Sequence, residues 1–125
     1  MDINQIHPTL RKATASFPKL PVTSSFGRAL TRFLLPVLLP KTKLPAGITI
    51  EQVKTASGLN LRIYTPAGQR TRAAMLYIHG GGMMIGSPAM DDALLATTAA
   101  ELDIVIVSPD YKLAPENPYP SAVND

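Results

Sequence analysis

The 125 residues contain no cysteine, so neither a disulfide framework nor a thiolate metal site is available, and the composition fits a reducing, cytoplasmic setting. Long apolar runs are missing as well. The most apolar stretch, Phe33 to Pro40, is far short of the ~20 residues a membrane span needs, and Pro36 interrupts it. Arg28 and Arg32 stand just before that stretch and no small-residue cleavage site follows, which argues against a secretion signal. No internal repeat or low-complexity tract occurs. These absences predict a soluble protein without a membrane span.

What is present suits one packed domain, since 46% of the residues are hydrophobic. The net charge of +3 is unevenly divided. Residues 1–43 hold seven basic residues (Arg11, Lys12, Lys19, Arg28, Arg32, Lys41, Lys43) against Asp2, whereas the remainder holds five basic against eight acidic. A basic arm packed over an acidic domain accounts for this division. Nucleic acid is not an expected partner, because the basic residues are scattered and no aromatics are interleaved with them.

Residues 1–22, punctuated by Pro8, Pro18 and Pro21, read as a loose lead-in. Thr23-Ser24-Ser25 then offers helix caps ahead of Phe26, Ala29, Leu30, Phe33 and Leu34, whose spacing predicts an amphipathic helix ending near Pro36. Arg28 and Arg32 fall on another face, and the apolar stripe is expected to pack against the core or a cap rather than lie on a membrane surface. From Ile48 the period changes to two. Ile48, Ile50 and Val53, a turn at Ser57-Gly58-Leu59-Asn60, then Leu61, Ile63 and Thr65 predict a β-hairpin. Ala73–Ile78 is apolar almost throughout, as in a strand buried on both faces. Asp91 and Asp92 suit a helix start, with Leu95, Ala99 and Leu102 on one face, and Ile104–Val107 reads as a second strand. Strand, helix and strand make a βαβ unit. Pro115, Pro118 and Pro120 then stiffen a loop, and Ser121 to Asp125 has the pattern of a helix's first turn, as if the chain stopped where another element begins.

The chemistry concentrates where the first of those parallel strands ends, in His79-Gly80-Gly81-Gly82-Met83-Met84-Ile85-Gly86-Ser87. Three consecutive glycines are tolerated where backbone must take left-handed angles or lie against a ligand. Such a loop presents unpaired N–H groups able to hold a developing negative oxygen.

With a second string, Asp110-Tyr111-Lys112-Leu113-Ala114-Pro115-Glu116, one βα unit later, residues from about 48 to 125 resemble the hormone-sensitive-lipase-like α/β-hydrolases, esterases and lipases marked by both motifs. The resemblance implies an α/β fold, the N-terminal portion of an α/β-hydrolase with an incomplete sheet. It further implies a helical cap segment in residues 1–47 and an oxyanion hole formed by the N–H groups of Gly81 and Gly82. His79 and Gly80 would order the loop. Asp110, Tyr111 and Glu116 would brace its neighbour rather than act as acid and base. Met83, Met84 and Met90 either line an acyl pocket or fill the core. Lys112 departs from the family's usual arginine, and Met83 from a usual aromatic.

No Gly-x-Ser-x-Gly nucleophile elbow occurs in the 125 residues, and the only histidine besides His79 is His7. No catalytic residue is therefore assigned within the chain, and Ser, Asp and His are expected beyond residue 125. The resemblance implies serine-dependent hydrolysis of small acyl esters with no metal or other cofactor. The alternatives are a receptor-like relative that binds small molecules without turnover, or an inactive orphan fragment. In the family's sheet, strand 73–78 lies between the Ile104–Val107 strand and the nucleophile-bearing strand. Lacking the latter, it is expected to be an open edge that seeks a complementing C-terminal portion or another copy of the chain.

Overall fold

A computed structural model describes residues 3–16, 20–38, 43–68 and 70–125. Pro18, Lys19 and Lys41 of the predicted basic lead-in lie outside these. Four strands form one mixed sheet in the order β1-β2-β4-β3, with β1 at Ile48–Lys54, β2 at Asn60–Pro66, β3 at Ala74–Leu76 and β4 at Val105–Asp110. The first two make the predicted antiparallel hairpin, β2 pairs antiparallel with β4, and β3 joins β4 in parallel. In the hairpin turn the Thr55 hydroxyl accepts from the Leu59 N–H at 3.0 Å, closing the chain around Gly58.

Register explains the core. Ile50 pairs with Tyr64, Tyr64 with Ile106 and Ile106 with Met75, so one row of side chains crosses all four strands on the same face. Helix α3 (Asp92–Leu102) covers that row with Leu95, Ala96 and Ala99, whose two alanines allow close approach, while Leu102 stays exposed. At the helix end Asp103 takes left-handed angles (φ +54). Its N–H donates to the Ala99 carbonyl, and its carboxylate and carbonyl accept from Arg70 N–H and the Thr71 hydroxyl. The approach to β3 is thereby tied to the helix that precedes β4.

A polar lock joins sheet to helix. Arg62 makes two parallel 2.6 Å hydrogen bonds to the Asp92 carboxylate, and the Tyr64 hydroxyl donates to the same group at 2.8 Å. Burial first, and then Asp92, raises the Tyr64 pKa well above its ordinary value, so the phenol stays a donor. Asp92, expected only to favour a helix start, thus acts across the sheet.

Four expectations need correction. The lead-in is more regular than its prolines suggested, with a 3-10 turn at Ile3–Gln5 and helix α1 at Pro8–Ser16. Proline at a first helical position loses no intrahelical bond, so Pro8 starts α1 rather than preventing it. Helix α2 spans Ser25–Leu38, with Ser24 Oγ accepting from Gly27 N–H as its cap, and continues two residues past Pro36. Its apolar stripe does not pack inward: Phe26 is 79% and Phe33 72% exposed, while Gly27, Arg28 and Thr31 are buried. Finally, β3 is shorter than 73–78 and is not buried on both faces. Met75 and Tyr77 face α3, whereas Leu76 and Ile78 are 66% and 63% exposed, because nothing among the described residues covers that face or pairs with the strand's outer edge.

The lock makes a measurable claim about stability. Asp92→Ala leaves Arg62 without its carboxylate in a partly buried site and is expected to lower unfolding free energy by about 2 kcal/mol, against ~1 kcal/mol for Tyr64→Phe. Urea midpoints followed by far-ultraviolet circular dichroism check the order.

Candidate functional site

The glycine loop begins where the parallel ladder ends. Tyr77 N–H donates to the Val107 carbonyl at 2.9 Å, and two residues later His79 turns its ring under the loop, 3% exposed. Its Nδ1 lies 2.9 Å from the Gly80 carbonyl, which only accepts, so Nδ1 carries the proton in this contact. The ring stacks on Tyr111 with centroids 4.2 Å apart, and the Tyr111 hydroxyl donates to the His79 carbonyl at 2.8 Å. Burial raises the Tyr111 pKa, keeping that hydroxyl protonated. His79 and Tyr111, one from each sequence motif, thus form a single support.

Above this support the backbone bends through angles that side chains resist. Gly81 has φ +121, Gly82 +61, Met83 +58 and Gly86 +100. A Cβ on Gly81 would fall 1.9 Å from the Ile85 carbonyl oxygen, and one on Gly86 2.5 Å from the Gly80 oxygen. The Gly81 carbonyl accepts from the N–H groups of both Met84 and Ile85 at 3.1 Å. Among the described residues no hydrogen bond engages the N–H groups of Gly81 and Gly82, and both residues are exposed. An anionic or strongly polarised oxygen is the natural acceptor for such amides.

The proline-rich loop leans against the glycine loop, with Ala114 N–H donating to the Met83 carbonyl at 2.8 Å. Two residues on, Glu116 pairs with Arg32 of α2 at 3.0 Å and with Arg28 at 3.6 Å. Its own backbone N–H, and then Arg32, hold its carboxyl below the ordinary range. These ion pairs are therefore complete above the ordinary carboxylate range and are lost as pH falls through the lowered value. Asp110 sits exposed at the end of β4, and its carboxylate makes no hydrogen bond among the described residues, so the bracing expected of it is not seen there. Lys112 turns away to Asp125, its ammonium on one carboxylate oxygen and its N–H 2.8 Å from the other. His7 contacts the Thr9 hydroxyl, remote from the glycine loop in sequence and bonded within its own turn.

Among the methionines, Met83 is exposed and Met84 and Met90 half-buried. Met83, Leu61, Leu76, Ile78, Val107 and Val123 line an open apolar groove of about 590 Å³ on the uncovered side of the sheet. No group of three or more histidine, aspartate or glutamate residues gathers among the described residues in a way that would hold a metal ion. None of their helices is long and apolar enough to cross a membrane. Arg32 and the Arg62–Asp92–Tyr64 lock were not identified from sequence, since their partners lie 28 to 84 residues away. The one available signal was the placement of Arg28 and Arg32 four residues apart on a single helix face.

Known proteins share this sequence pattern and fold. Residues 75–125 match a family model described as alpha/beta hydrolase fold. Carboxylesterase NlhH of Mycobacterium tuberculosis is 30% identical over 125 residues, an alignment covering 96% of this chain and 39% of that protein. A solved structure titled Bacterial Heroin Esterase superposes with a TM-score of 0.78 at 26% identity, covering 98% of this chain and 40% of its own. A hormone-sensitive lipase from a metagenome library gives 0.70 at 28% identity, over 100% and 40%. The chain thus spans about two-fifths of each of these relatives.

The loop's steric demands predict a graded response to alanine. At Gly80, where φ is not left-handed and a Cβ would meet nothing within 4 Å, alanine is expected to change stability by less than ~0.5 kcal/mol. At Gly81 and Gly86 it should cost about 1–3 kcal/mol or remodel the turn. Amide hydrogen exchange at Met84 and Ile85 distinguishes the two classes.

Proposed function

Because the chain is a partial α/β-hydrolase of the hormone-sensitive-lipase-like kind, we propose that it supplies the oxyanion-hole loop of a serine carboxylic-ester hydrolase acting on small acyl esters. The observation that carries this reading is the pair of exposed, unengaged N–H groups at Gly81 and Gly82, set on backbone that only glycine adopts readily. In such a reaction a serine oxygen attacks the ester carbonyl carbon while its proton passes to a base. Negative charge builds on the carbonyl oxygen, where two preorganised amides stabilise it. Collapse expels the alcohol, which takes the proton, and water then releases the acid from the acyl-serine. The serine, its base and its acid belong to polypeptide outside these 125 residues. His79 is not the base, since its ring is buried beneath the loop and stacked on Tyr111.

Residues 1–47 act in this reading as part of the cap over the acyl site, with α2 docked through its arginines and its phenylalanines turned outward. The open edge of β3 and the apolar groove beside it receive the complementing portion or, without it, a second copy. Light scattering of the isolated chain should accordingly show self-association. A monodisperse, cooperatively melting species of 13.4 kDa would overturn that expectation.

Activity is tested by joining the chain to the part of a carboxylesterase relative that follows the matched segment and following hydrolysis of p-nitrophenyl acetate and butyrate. Turnover is expected from the joined protein and not from the chain alone. Gly81→Ala, whose Cβ would strike the Ile85 carbonyl oxygen and displace the amide, should lower it by about 10²–10³-fold, and Gly82→Ala, which keeps its N–H in open space, by less. Full turnover in these variants would remove the oxyanion assignment, and saturable ester binding without turnover would favour the receptor-like alternative.

A further inference from the structure

We propose that Arg32 is a positioning residue for the glycine loop, a strap from the N-terminal helix that sets the direction of the Gly82 N–H group. Its functional meaning rests on the oxyanion reading above; its structural content does not. Where an amide points is decided by its peptide plane, and a short loop with three left-handed residues in succession, Gly81 to Met83, has little internal bonding to fix those planes. From within the loop, His79 Nδ1 on the Gly80 carbonyl holds the plane that carries the Gly81 N–H, and the two bonds received by the Gly81 carbonyl hold the plane that carries the Gly82 N–H.

The remaining restraint comes from outside it. The Met84 carbonyl accepts from Arg32 Nε at 2.9 Å, and the Met83 carbonyl accepts from Ala114 N–H at 2.8 Å. The Ala114 carbonyl in turn accepts from Arg32 Nη2 at 2.8 Å. These three bonds close a ring that runs from α2 to the glycine loop, on to the proline-rich loop and back. Each member is held by the other two, so the planes of the Met83 and Met84 carbonyls, which carry the Met84 and Ile85 N–H groups bonded to the Gly81 carbonyl, cannot rotate without breaking the ring. Nη2 also reaches Glu116 at 3.0 Å, which orients the guanidinium. Two of the three acceptors on Arg32 are neutral carbonyls, which separates this arrangement from an ordinary surface ion pair. The task also requires arginine. A planar fork serves two or three fixed acceptors at once, whereas a lysine ammonium on its flexible stem gives up part of them.

Residue-resolved amide exchange on the full chain tests the strap, comparing the unsubstituted protein with Arg32→Gln, Arg32→Lys and Glu116→Gln. Arg32→Gln is expected to speed exchange at Met84 and Ile85 by ~10-fold or more, leaving Tyr64 and Ile106 in the sheet unchanged. Arg32→Lys should fall between, and Glu116→Gln should give only a small fraction of the effect. The strap is overturned if Arg32→Gln leaves the loop unchanged, if loop and sheet amides accelerate together, or if Glu116→Gln matches it. In the joined, ester-hydrolysing protein Arg32→Gln should lower kcat while KM stays within about twofold, as expected for a group acting on transition-state donors; a KM effect alone would overturn the role. Should no ester be hydrolysed while the exchange result holds, the hydrolase reading fails and the strap stands.

Discussion

The one-sided burial of the sheet under α3 is the constraint from which the rest follows. Ile50, Tyr64, Ile106 and Met75 stand in one row because strand pairing places them there, and a single helix with alanines at its contact face is enough to cover them. Burying that row fixes β3 against β4, although only three residues of β3 are in regular pairing. The same placement decides where the chain leaves the sheet, and so where His79 enters and the glycine loop starts. The opposite face gains no such cover, which leaves Leu76 and Ile78 in the open beside the loop.

The loop itself is stabilised mainly by its surroundings. Its angles are ones a polypeptide visits at an entropic cost, and its internal bonds converge on the single carbonyl of Gly81. His79 and Tyr111 hold it from below, Ala114 and Arg32 from the side. The two motifs are therefore two halves of one structure, the second existing in large part to shape the first. In the same way the basic character of the N-terminal arm has a local use. Arg28 and Arg32 are committed to carbonyls and to Glu116, so these two charges serve the fold.

Elements whose signal is local were legible in the sequence. The hairpin showed in its alternation and turn, α3 in its paired aspartates, and the loop in its run of glycines, although Gly80 is not left-handed and Met83 is. The family resemblance led to the expectation that His79 orders the loop, and its ring lies buried against Tyr111. What could not be read depended on partners distant in sequence. Nothing near Asp92 announces Arg62, and nothing near Arg32 announces Met84 or Ala114. The stripe on α2 misled because periodicity identifies an apolar face without saying what meets it. Strand 73–78 misled for a related reason: its composition suits burial on both sides, whereas the described residues cover only one.

The stacked pair of Tyr111 and His79 has a spectroscopic consequence. The chain has no tryptophan and four tyrosines, so no indole masks the phenol bands. Tyr119 is exposed and asymmetrically unconstrained, whereas Tyr111 is fixed between an imidazole face and a backbone carbonyl at the base of the loop. A rigid chiral environment of that kind gives phenol bands their near-ultraviolet dichroism. Tyr111 therefore gives the base of the loop an optical reporter that needs no label, beside the equally fixed phenol of Tyr64 in the sheet.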